Sequence, residues 1–70
     1  MHYIIEYNRA KGTVISLKEH SDNEWSTAFK DHQKKIADNT NDDISISLVD
    51  AKNLADLKKH YGAFFHKKDM

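Results

Sequence analysis

The stretch HYIIEYN, residues 2–8, decides the fold, because it is apolar on both of its faces. Tyr3, Ile5 and Tyr7 occupy one parity and Ile4 the other. Successive side chains of a strand point to opposite sides. A strand with apolar residues at both parities reads as the central strand of a sheet. Two further strands are available to flank it. TVISLKE, residues 13–19, is rich in β-branched residues, and DISISLVD, residues 43–50, alternates strictly between Ile44, Ile46 and Leu48 on one face and Ser45, Ser47 and Val49 on the other.

The link RAKG, residues 9–12, is a hairpin turn. Taken as a three-residue loop, Ala10 to Gly12, with Gly12 left-handed, it sets Tyr7 opposite Ile15 and Ile5 opposite Leu17. Tyr3, Ile5, Tyr7, Ile15 and Leu17 then share a face, an arrangement that a one-residue slip would destroy. The stretch SDNEW, residues 21–25, starts a helix, with Ser21 and Glu24 at capping-box spacing and Asp22 at the positive end of the dipole. Trp25, Ala28, Phe29, His32 and Ile36 follow as an apolar stripe, so Trp25 and Phe29 are expected against the sheet in a helix ending near Asp38. After the third strand, Asp50 is the expected cap of a second helix that buries Leu54, Leu57 and Tyr61 and stops at Gly62.

The order is β-β-α-β-α. A right-handed crossover makes the third strand parallel to the second. With the first strand central, the expected fold is α+β: a three-stranded antiparallel sheet in the order 2-1-3, with two helices on one face. Residues 1–66 read as a single domain and residues 67–70 as a short charged tail.

Seventy residues bury a small core, and the chain has no cysteine to staple it. The remaining sources of stability are tight packing and self-association. The formal net charge is zero, which lowers the expectation of a dedicated nucleic-acid binder. No apolar run is long enough to span a bilayer, and charge interrupts the first ten residues, so the expectation is a soluble, cytoplasmic protein without a membrane role.

Motifs for chemistry are weak. Five histidines show no i, i+4 pairing of a helical zinc site, and His32 reads as a partly buried residue with one hydrogen bond. DNTNDD, residues 38–43, has the alternating oxygens of a calcium loop but has Asp43 where the turn glycine belongs and Val49 where the bidentate glutamate belongs. No catalytic, cofactor or metal residues are assigned, and the chain is read as non-enzymatic.

The expected activity is protein–protein interaction, with a second copy of the chain as first partner. If both helices cover the Tyr3 face, the other face is open, with Ile4 at its centre and Val14 and Val49 beside it. These three, with Phe64 and Phe65 from the C-terminal stretch GAFFHKK, are the candidate partner-binding residues of a homodimer, formed by this open face or by edge-to-edge pairing of the third strand. The alternative is weak nucleic-acid binding, in which Tyr61, Phe64 and Phe65 stack on bases beside Lys58, Lys59, Lys67 and Lys68.

Overall fold

The structure, a computed structural model, describes residues 1–62. Phe64, Phe65 and the expected charged tail lie outside the described residues. Strand β1 (His2–Asn8) is followed by β2 (Thr13–His20), a single 3-10 turn (Asp22–Glu24), helix α1 (Trp25–Asp38), β3 (Ile44–Asp50) and α2 (Leu54–His60). The sheet is antiparallel throughout, in the order β2-β1-β3, so the doubly apolar strand is central as expected.

The hairpin refines the expected register. Ile5 does pair with Leu17, but Tyr7 pairs with Val14 and Asn8 with Thr13. The loop is therefore four residues, and the extra residue is returned to the ladder at a bulge that takes up Ile15. A bulge leaves one residue unpaired, and Ile15 is exposed. Gly12 is left-handed, with φ +67°. A Cβ there would only reach Tyr7 Oη at 3.7 Å, so the penalty for substitution is in the backbone. Gly12→Val is expected to cost about 1–2 kcal/mol and Gly12→Asn less, since asparagine tolerates this region. Urea midpoints of the two variants check this; equal losses would contradict it.

The largest departure concerns the faces of the sheet. The expectation put both helices on one face. In the structure they take opposite faces. Tyr3 and Ile5 cluster with Leu57 of α2, and Val14, Leu17, Val49 and Tyr61 pack around them. On the other side, α1 reaches Glu6 through Lys35, and Lys18 and His20 through Asp31. Ile4, at the centre of that second face, is fully buried, as is Ala28 of α1. The physical reason lies in β3. Leu48 pairs with Ile4 and Val49 with Tyr3, one residue away from the expected alignment. That slip moves Ile44, Ile46 and Leu48 to the side of Ile4, where α1 covers them, and leaves Val49 for α2.

The helix ends follow local chemistry. The Ser21–Glu24 capping box forms, on the 3-10 turn that leads into α1. The cap of α2 is Asn53 rather than Asp50, because β3 continues through Asp50; Asn53 Oδ1 accepts from Asp56 N at 2.8 Å. At the other end, Tyr61 N–H donates to Leu57 O at 2.8 Å.

Candidate functional site

Helix α1 does not lie on the sheet with its apolar stripe. Its inward residues are Ala28, Asp31, His32 and Lys35, which are buried or half-buried. Trp25, Phe29 and Ile36 remain 53%, 46% and 47% exposed. At 3.6 residues per turn, these three centre roughly 80° around the helix from Ala28. The burial expected for Trp25 and Phe29 is thus corrected. The β1–β2 half of the sheet face beneath α1 is polar beside Ile4, with Glu6, Ser16 and Lys18, and it attracts the polar side of the helix, while the β3 half carries Ile44, Ile46 and Leu48. Lys35 Nζ donates to Glu6 Oε2 at 2.9 Å, and Lys18 Nζ lies 3.0 Å from Asp31 Oδ2. Burying Trp25 and Phe29 instead would remove these contacts and leave Glu6 facing apolar rings.

The rotation gives α1 two different flanks. The flank toward β3 is apolar. Trp25 stacks at a tilt on Phe29, with ring centroids 5.7 Å apart, and on His2 at 5.3 Å. The flank toward β2 is cationic. Lys18, Lys30 and Lys34, with His20, Thr27 and Asp31, line an open cleft of about 380 Å³. Among the described residues, Lys30 and Lys34 have no ion-pair partner.

Beside the apolar flank lies the outer edge of β3. Ala51 N–H donates to Met1 O at 3.0 Å and Arg9 N–H to Asp43 O at 2.8 Å. Bonded pairs alternate along an antiparallel ladder. Ile44, Ile46, Leu48 and Asp50 therefore turn their backbone groups outward. Half of this edge is closed from within the chain. Ile44 N–H donates to Asn41 O at 3.0 Å, Asn39 Nδ2 reaches Ile44 O at 3.5 Å, and His32 Nε2 donates to Ile46 O at 3.0 Å. No such cap covers Leu48 among the described residues. The β2 edge is guarded differently, by the bulge and by exposed Lys18 and Glu19.

The residues nominated from sequence are distributed as follows. Ile4 is fully buried and is not a surface residue. Val14 and Val49 are half-buried around the α2-side core, on the face opposite Ile4. The structure does not bring these three together. The loop read as a broken calcium motif is stitched by its own turns: Asn41 N donates to Asn39 Oδ1 at 3.2 Å and Asp43 N to Asn41 Oδ1 at 2.9 Å. Trp25, Phe29 and Ile36 were missed as surface residues. The signal that could have found them is the second stripe of α1, Ala28, His32 and Lys35, whose charge matches Glu6 and whose neighbour Asp31 matches Lys18.

The ionic layer beneath α1 sets a pH dependence. The hydrogen bond from Lys18, aided by His20 and by the charge of Lys35, holds the Asp31 carboxyl below the usual carboxylate range. The hydrogen bond to Glu6 holds the Lys35 ammonium above its ordinary value. The Asp31 contribution is complete above about pH 3.9 and is lost as pH falls through the folded value; the Lys35 contribution is complete below about pH 10.4 and is lost as pH rises through the folded value. Lys18 is more than half exposed, so the Asp31 pair is worth at most about 1 kcal/mol. The stability gap between wild type and Asp31→Asn is expected to narrow on going from about pH 7 to about pH 3. A constant gap in urea melts would contradict this assignment.

No helix among the described residues is long and apolar enough to cross a membrane. No family model, curated protein or solved structure matches the chain.

Proposed function

We propose that this chain is a non-enzymatic protein-interaction module whose first partner is a second copy of itself. The observation that carries the reading is the apolar flank of α1, where Trp25 and Phe29 stack on each other and, with Ile36 two turns further on, stay about half exposed on the side toward β3. Large aromatic residues in a contiguous exposed strip mark interaction surfaces more than isolated apolar residues do. A second copy is favoured for two reasons. A strand edge pairs with its own copy about a two-fold axis, which makes the surface self-complementary. The net charge of zero sets no long-range repulsion between copies. The expected seam pairs β3 with β3 near Leu48 and closes Trp25 and Phe29 over it; Phe64 and Phe65 can contribute from the C-terminal segment.

Sedimentation equilibrium tests this. Trp25→Ser and Phe29→Ser should each shift the mass toward monomer while the chain stays folded, and Lys34→Ser should not. A wild-type monomer at about 100 μM, well above ordinary specific dissociation constants, would end the proposal.

A second reading has its own observation. The cleft of Lys18, Lys30 and Lys34 supports weak binding of single-stranded nucleic acid, at a place other than the C-terminal lysines. Such binding must weaken steeply with salt. Oligonucleotide affinity that is flat with salt, or unchanged in Lys30→Gln and Lys34→Gln, would exclude it.

A further inference from the structure

We infer that His2, Asp22 and Asp50 form a binding site for a borderline divalent metal ion of the Zn²⁺ type. The three side chains come from three elements: the start of β1, the turn before α1 and the end of β3. Their ligand atoms all lie within 4.8 Å of one another. A tetrahedral ion with bonds of about 2.0–2.2 Å spaces its ligands about 3.4 Å apart. Exposed aspartates close that difference by rotating, and both carboxylates are well exposed.

The imidazole is the informative member. His2 Nε2 lies 3.2 Å from the backbone oxygen of Asp22. A carbonyl only accepts, so Nε2 carries the proton. Metal-ligating histidines are held in this way, with one ring nitrogen donating to an oxygen and the other facing the ion. The other nitrogen, Nδ1, lies 3.4 Å from Asp50 Oδ1. In the neutral ring that places a lone pair against a carboxylate oxygen, which is repulsive unless a cation stands between. A second proton on the ring answers the repulsion, and so does a metal. The Trp25 ring against His2 restrains the imidazole, whose side chain is only 14% exposed.

The terminal ammonium of Met1 pairs with Asp22 and lies 3.6 Å from Asp50 Oδ1, so a metal ion binds here by displacing it. One imidazole with two carboxylates suits Zn²⁺ or Co²⁺ better than the all-oxygen preference of Ca²⁺ or Mg²⁺. A bound ion would clip together the ends of β1 and β3 and the entry to α1, a staple for a small chain without cysteine.

The single tryptophan of the chain gives the readout, because its ring sits on the proposed ligand. Paramagnetic Co²⁺ is expected to quench Trp25 fluorescence saturably, following a one-site isotherm, and Zn²⁺ to compete it off. Asp22→Asn and Asp50→Asn change exposed groups and should fold; each is expected to weaken binding about tenfold or more. His60→Gln, at a histidine paired with Asp56 elsewhere, should leave it unchanged. Acetylating the terminal amine removes the competing ammonium and should hold or raise affinity. The inference is overturned by absence of saturable quenching up to about 1 mM Co²⁺, by undiminished affinity in both aspartate variants, or by loss of binding on acetylation, which would assign the metal to the amine and His2 alone.

Discussion

Ile4→Lys is expected to yield an unfolded chain rather than a folded monomer. Ile4 has no exposed surface, and it lies at the centre of the middle strand beneath α1. An ammonium placed there loses its hydration, and the nearest carboxylates are already engaged, Glu6 by Lys35 and Asp31 by Lys18 and His20. An unpaired buried charge costs several kcal/mol. A single core of this size rarely supplies more than about 3–5 kcal/mol in all. Far-UV circular dichroism decides the matter. A native spectrum with reduced mass would show that Ile4 faces a partner and that α1 lies elsewhere.

On the opposite face, Leu57→Ala is expected to cost about 2–5 kcal/mol. Leu57 is the fully buried residue of α2, in the cluster with Tyr3 and Ile5. α2 is only seven residues long and is too short to hold helical form without docking. Its loss would uncover Tyr3, Ile5, Leu17 and Val49 together, so the melt should shift as a whole. Leu54 shares the helix but is 42% exposed, and Leu54→Ala should cost about 1 kcal/mol or less. Comparable losses in the two variants would mean that α2 packs through a different side. A large loss in both Ile4→Lys and Leu57→Ala is the signature of a sheet roofed on both faces.

Much of this architecture was legible because parity is a strong constraint. Tyr3-Ile4-Ile5 can be satisfied only in the interior of a sheet, and the strand order followed. Gly12 and the Ser21–Glu24 box were legible because their conformations depend on neighbours in sequence. The register of β3 was not. Ile44, Ile46 and Leu48 were rightly placed on one face, but which face depends on how the loop 39–43 meets Arg9, through the bond from Arg9 N–H to Asp43 O and that from the Arg9 guanidinium to Asp42 O. With a helix on each side, either alignment buries apolar surface, so hydrophobicity alone does not choose.

The candidate surface was obscured by the same ambiguity one level up. α1 carries two stripes at helical spacing, Trp25-Phe29-Ile36 and Ala28-His32-Lys35. Apolar character selects the first for the core. The charges of Glu6 and Lys18 on the sheet select the second, and that choice becomes visible only once β1 and β2 are known to turn those residues toward α1. The nomination of Ile4 as a partner-binding residue failed with it, since the face it occupies is covered.

The central claim, that the chain associates by burying the apolar flank of α1, is tested most directly by Trp25 emission over a dilution series. Trp25 is the only tryptophan and is about half exposed in the single chain. Association through this flank removes water from its ring, so emission should be blue-shifted at high concentration and move to the red on dilution. The midpoint should coincide with the mass change in sedimentation, and Phe29→Ser should hold the emission red throughout. Emission that stays constant while the mass changes would place the interface elsewhere and contradict the account.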